Sequence, residues 1–241
     1  MLYQGVEMTK AEEFAAAMDR YNGSAFYGWF GLVVSGAVLT MQAFSAARVE
    51  WSALSPVYLA YFVVAYIVTD FINGAVHMWM DNNDDYTSPA GPLIAAFHLH
   101  HLKPRYTDHN PLVVYALESG SKNWLVVYLI GLIVAQPFIP AGLNFTLVAI
   151  GILSSWAEVS HFLCHNGEGR VVRWMQRFRI LLPVEHHAEH HARDNYNYAF
   201  LNGLSDPVLN WLAIRMYSGY VNGTDLHVKS YSGPLNANRR G

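Results

Sequence analysis

The chain has 241 residues, of which 53% are apolar and only 14% charged, against about 25% charged in an ordinary soluble domain. Intrinsic disorder is excluded, because disordered chains are charged and poor in aromatics, whereas here the mean hydropathy is +0.15. Cys164 is the only cysteine, so no internal disulfide can form. A net charge of −3 offers no basic field to nucleic acid.

In chain order, the first residues lack the basic, apolar, small-residue pattern of a signal peptide, so none is expected. Residues 7–20 mix acidic, basic and apolar positions and read as a short surface helix. Four stretches then approach the ~20 apolar residues that cross ~30 Å of hydrocarbon. They are Phe26 to Ala47, Pro56 to Met80, Trp124 to Pro140 and Leu143 to Leu163. Their only charged side chains are Asp70 and Glu158. A weaker run, Tyr198 to Tyr217, carries Asp206, Pro207 and Arg215, and reads as interfacial or packed. The expected fold is all-α and polytopic: a cytoplasmic segment over 1–24, a membrane domain over 25–220 and a polar tail over 221–241.

Four spans leave the 81–123 loop, both termini and everything after 165 on one side. That side holds nearly all the lysines and arginines, and the opposite side only Arg48. The positive-inside rule makes the basic side cytoplasmic.

Eleven of the twelve histidines fall on that same face; only His227, in the polar tail, stands apart. On a helix, residues three, four and seven apart share a side. Asp70, His77 and Asp81 are so placed, as are Glu158, His161 and His165, and His187, His190 and His191. His100 and His101 are adjacent, so an irregular backbone after Phe97 is expected to bring both inward. Neutral imidazole suits iron, zinc, copper and nickel. Eight or more convergent imidazoles exceed the four ligands of one zinc site and point to two metals. A charge inside a span costs at least ~2.5 kcal/mol on insertion scales. Asp70 and Glu158 are therefore read as orienting carboxylates that accept an imidazole N–H, or, for Glu158 above all, as ligands.

The motifs resemble those of the Kua family of membrane lipid desaturases, whose members include plasmanylethanolamine desaturases, bacterial CarF-like proteins and plastid palmitate trans-desaturases. Asp70-Phe-Ile-Asn-Gly-Ala-Val-His77-Met-Trp79-Met-Asp81 is similar to the family's Asp…Ser-Gly…His-Trp…Asp segment. Phe97-His-Leu-His100-His101-Leu-Lys-Pro104 resembles its Phe-x-x-His-His-x-x-Pro, and His161-Phe-Leu-Cys-His165 its His-x-x-x-His. His187-Ala-Glu-His190-His191, followed by Asn195-Tyr-Asn-Tyr198 and Gly203-Leu-Ser-Asp-Pro-Val-Leu-Asn210, resembles its C-terminal motif. The likeness covers roughly residues 56 to 215.

The resemblance implies a ligand set of His77, His100, His101, His161, His165, His187, His190 and His191. His98, His109 and His186 remain additional candidates, set apart because relatives often carry Arg or Gln at 98 and 186, and Arg at 109. It also implies two iron ions, O2 as co-substrate and desaturation of a phospholipid-linked alkyl or acyl chain. Because no Rossmann glycine fingerprint or haem attachment motif appears, electrons are expected from a separate donor such as cytochrome b5 or ferredoxin with its reductase. The membrane would be the bacterial inner membrane, the endoplasmic reticulum or the plastid, according to source. Arg170, Arg173, Arg177 and Arg179 fit plain positive-inside charge, an acidic electron carrier or anionic headgroups. The alternatives are a membrane sterol or fatty-acid hydroxylase with the same centre, a zinc-dependent hydrolase, and a metal-binding transport or sensor protein.

Overall fold

A computed structural model describes residues 8–53, 55–103, 105, 107–118, 122–193 and 195–217. His227 and the tail from 221 lie outside the described residues. Those described are helical or irregular, with no strand among them.

The first helix, α1 (Lys10–Gly23), starts at a capping box: Thr9 accepts from the Glu12 N–H, and the Glu12 carboxylate accepts from the Thr9 N–H. It is more than a surface helix. Phe14, Ala17, Met18 and Tyr21 recur on one face and are buried against Tyr86, Ile94, Ala95 and Leu99. The last three belong to α4 (Gly91–Leu102), so α1 caps the segment that carries His100 and His101.

Three helices are long and apolar enough to cross a bilayer: α2 (Ala25–Ala47), α3 (Val57–Asp81) and α7 (Ala141–Asn166). Their outer faces carry exposed Trp29, Val33, Leu39, Phe62, Val63, Ile67 and Ile152, apolar surface that only lipid or a partner can cover. The fourth expected span is shorter. After α5 (Pro111–Val113) and a π-helical turn over Val114–Glu118, α6 (Asn123–Ala135) and a 3-10 turn to Phe138 make 16 residues, about 24 Å of helix. The α5–π segment packs against α2, with Ser35 Oγ donating among the Gly31, Tyr115 and Ala116 carbonyls. Lys122 is buried there and donates to Ser35 Oγ at 2.6 Å and to the Tyr115 carbonyl.

α3 and α7 run in the same direction, side by side. Gly142 faces the Tyr61 ring near their starts, Asn73 Nδ2 donates to Ser154 Oγ at 3.0 Å midway, and His77 meets His161 near their ends. α6 returns the chain between them, its Tyr128 hydroxyl donating to Leu147 O. The remaining helices are short: α8 (Arg170–Arg177), α9 (Val184–Ala192) and α10 (Asp206–Met216). The Tyr198–Tyr217 run is thus an irregular strip leading into α10. Gly74 allows this close packing, because a Cβ there would stand 2.9 Å from Ala199 Cα and 2.4 Å from Leu209 Cδ1.

Asp70 is where structure and sequence expectation part. Asp70 accepts no imidazole proton in this arrangement. Its Oδ1 accepts the backbone N–H groups of Leu201, Asn202 and Gly203, and its Oδ2 accepts the N–H and hydroxyl of Ser205. Seven residues separate Asp70 from His77, about 10 Å along the helix, too far for direct contact. The buried charge is compensated by a loop that contributes donors from more than 130 positions away in sequence.

Candidate metal centre

Four elements deliver the histidines. α3 ends with His77 and Asp81, α4 with His100 and His101, α7 with His161 and His165, and α9 carries His187, His190 and His191. α4 stays helical through Leu102, so the expected irregular backbone after Phe97 is absent. Both rings still converge, because they occupy the helix's last turn and the cluster lies beyond its end; their centroids are 4.3 Å apart.

The donor atoms fall into two groups. One comprises His77, Asp81, His100, His101 and His190; the other His100, His165, His187 and His191. Within each, the candidate ligand atoms lie within 4.8 Å of one another. His161 adjoins the second group, with its Nε2 2.9 Å from His187 Nε2. His187 Nε2 is also 3.0 Å from His165 Nε2 and 3.2 Å from His191 Nε2. A neutral imidazole nitrogen is either a donor or an acceptor, so these contacts cannot all be hydrogen bonds. Four such nitrogens around one point are instead the natural surroundings of a cation.

The carboxylate at the centre is Asp81. Its Oδ1 is 3.1 Å from His101 Nε2, and its Oδ2 is 3.1 Å from His77 Nε2 and 3.2 Å from His190 Nε2. Sequence spacing places Asp81 on the His77 face, one turn further on, yet favours the carboxylates within the spans. Glu158 belongs to neither donor group. The three additional candidates lie outside both groups as well. His98 is held by Tyr86 Oη at 2.7 Å and Met80 O at 2.9 Å, which occupies both ring nitrogens. His186 Nε2 lies 2.6 Å from Asp206 Oδ2. His109 follows α4 in an irregular stretch.

Several imidazoles are oriented from behind. His77 Nδ1 donates to Tyr198 O at 2.7 Å, His190 Nδ1 to Tyr196 O at 2.8 Å, and His100 Nδ1 to Phe97 O. An Nδ1–H held by a carbonyl leaves the Nε2 lone pair facing the pocket. The two tyrosine carbonyls are aimed by their neighbours: Asn195 and Asn197 have φ of 51° and 56°, a left-handed conformation in which Asn is enriched. Asn197 is fixed by the Asn210 side chain, whose Oδ1 accepts its N–H at 2.7 Å, and by its own Nδ2 donating to His186 O. Burial, followed by repulsion from the neighbouring rings, pushes His187 well below the usual imidazole range, and burial pulls His101 down to about 4 against the opposing effect of the Asp81 carboxylate. Neutral rings are what a metal requires. Asn197→Ala is expected to weaken metal retention about tenfold while removing no ligand; competition with a chromogenic chelator checks this.

The lipid desaturase domain family matches residues 66–219. The chain belongs to that family. The match encloses every donor residue of the cluster, from His77 to His191, and membership places the chain among oxidoreductases, as its motifs predict. A plasmanylethanolamine desaturase from Myxococcus xanthus is 27% identical over 158 residues, covering 61% of this chain and 52% of the relative. The match thus spans about half of that relative's length. No solved structure matches the chain.

Proposed function

We propose that this protein is an O2-dependent lipid desaturase that holds two iron ions in its histidine cluster and introduces a double bond into a phospholipid-linked alkyl or acyl chain. The observation that carries this reading is the pair of largely buried donor groups sharing His100. The residues fit such a pair of ions. His77 Nε2, His100 Nε2 and Asp81 Oδ2 are buried without a hydrogen bond, and buried polar atoms are otherwise almost always satisfied. His77, Asp81, His101 and His190 would hold one ion, His161, His165, His187 and His191 the other, with His100 between them.

Bound iron with O2 supplies the oxidising power that removal of hydrogen from an unactivated methylene demands. The chain's own contribution is positional. Tyr196, Tyr198 and Phe97 carbonyls fix the ring orientations. Phe97 and Phe200 pack on the His77 ring with centroids at 5.5 and 5.3 Å and exclude water from that side. Asp81 offsets positive charge that the neutral imidazoles cannot.

In this reading α2, α3, α6 and α7 make four passes, with the cluster at the cytoplasmic end. Electrons come from a separate carrier such as cytochrome b5 or ferredoxin. A site at the end of the spans favours bonds near the headgroup, as in a vinyl ether or a double bond near an acyl carboxyl. Purified protein is expected to contain about two irons per chain, and lipids of an expressing cell a species lighter by two hydrogens. One zinc per chain would overturn the oxidase reading, and a lipid gaining one oxygen would replace desaturation by hydroxylation.

A further inference from the structure

On the outer flank of α3 and α7 lies a groove of about 540 Å³, lined by Phe62, Leu153, Trp156, Phe178, Arg179 and Leu204 among others. Its volume is that of a typical ligand site. It continues the exposed apolar rows of α3 and α7 up to the segment that follows α8. That helix is amphipathic in an unusual sense, since Val171 and Trp174, with Phe178 just beyond its end, are exposed beside Arg170, Arg173 and Arg177. Apolar side chains facing outward between arginines suit the plane of a membrane surface.

Arg179 stands at the groove's polar edge. Its backbone has φ of 53°, unusual for a long side chain, and is pinned by the Tyr66 hydroxyl, which donates to the carbonyls of Arg179 and Ile180. Among the described residues its guanidinium meets no carboxylate and makes one long contact, 3.4 Å to Asn202 O. A fork of donors at the edge of an apolar trough matches a phosphodiester with an attached chain.

The geometry points to a phospholipid-docking site here, with one hydrocarbon chain along Phe62, Leu153 and Trp156 and the phosphodiester on Arg179. The groove is one layer from the metal cluster. Tyr66, on its wall, packs against buried Ala157, Leu182 and Phe200, and the Phe200 ring is 5.3 Å from those of His77 and His161. That the docked lipid is the substrate rests on the desaturase reading; that a lipid docks does not.

The test uses the full chain, metal-loaded, in phosphatidylcholine nanodiscs doped with one of two photoprobes. These are phosphatidylcholine bearing a diazirine in one chain and diacylglycerol bearing the same chain. Labelling is mapped by peptide mass spectrometry and requires no turnover. The phosphatidylcholine probe is expected to label the Phe62 and Trp156 peptides about tenfold more than the diacylglycerol probe. Arg179→Gln is expected to erase that difference. Leu204→Trp, which fills the trough from its exposed side, is expected to abolish groove labelling while metal content and labelling near Trp29 and Val33 on α2 stay unchanged. Groove labelling no stronger than that on α2 means annular lipid only and overturns the site, as does indifference to the phosphate. A catalytically active protein with an unlabelled groove would sink this inference alone. A labelled groove in a protein that desaturates nothing would sink only the substrate assignment.

Discussion

Replacing Asp81 by Asn is expected to lower turnover at least about 100-fold and to release about one metal equivalent per chain. The carboxylate is buried and lies within 3.2 Å of the Nε2 atoms of His77, His101 and His190. The amide keeps the shape but not the charge, and it turns one acceptor oxygen into a donor facing lone pairs that should bind metal. Losing one partner of a buried charged group costs far more than the group's net worth when paired. Elemental analysis and lipid mass spectrometry read the two effects separately. Full metal content in Asp81→Asn would remove Asp81 from the centre. His98→Gln is the contrast, because both nitrogens of His98 serve Tyr86 and Met80; its metal content should match that of the unaltered protein.

The second large effect is on stability. Asp70→Ala strands four backbone N–H groups and the Ser205 hydroxyl in a buried environment. At about 1–3 kcal/mol for each unsatisfied group, with partial relaxation, a net loss of about 4 kcal/mol is expected. For a chain of this size that lowers the melting temperature by roughly 10 °C. Thermal unfolding of the detergent-solubilised protein measures it, and Asp70→Asn, which keeps one oxygen, should lose less. A drop of about 2 °C or less would mean the loop is held by its other contacts. Metal retention should fall too, since the clamped loop is continuous with the Tyr198 carbonyl that orients His77.

These two carboxylates show what a sequence reading can reach. Helical spacing is local, and it correctly puts His187, His190 and His191 on one side of α9 and His161 with His165 on α7. Length and apolarity likewise pick out α2, α3 and α7. What spacing cannot supply is the partner from elsewhere in the chain. Asp70 shares a face with His77 but is claimed by residues 201–205, and His186 sits in a histidine run but is claimed by Asp206. Asp81 carried the right spacing; its position at the helix end, outside the apolar run, concealed that the fold buries it. The bounds of α6 are legible from its apolar run, whereas nothing local announces that Lys122 just before it is packed inside.

The strip from Asn195 to Ser205 has a consequence for biosynthesis. It is the last part of the site to be made, yet it orients His77 and His190 and supplies the hydrogen bonds that Asp70 accepts. Until that strip has been made Asp70 lacks these partners, and in the four-pass reading α3 then carries an acid in the bilayer at a cost of about 2.5–3.5 kcal/mol on insertion scales. The orientations of His77 on α3 and His190 on α9 are then still unset. In the desaturase reading, metal loading therefore follows the synthesis of this strip.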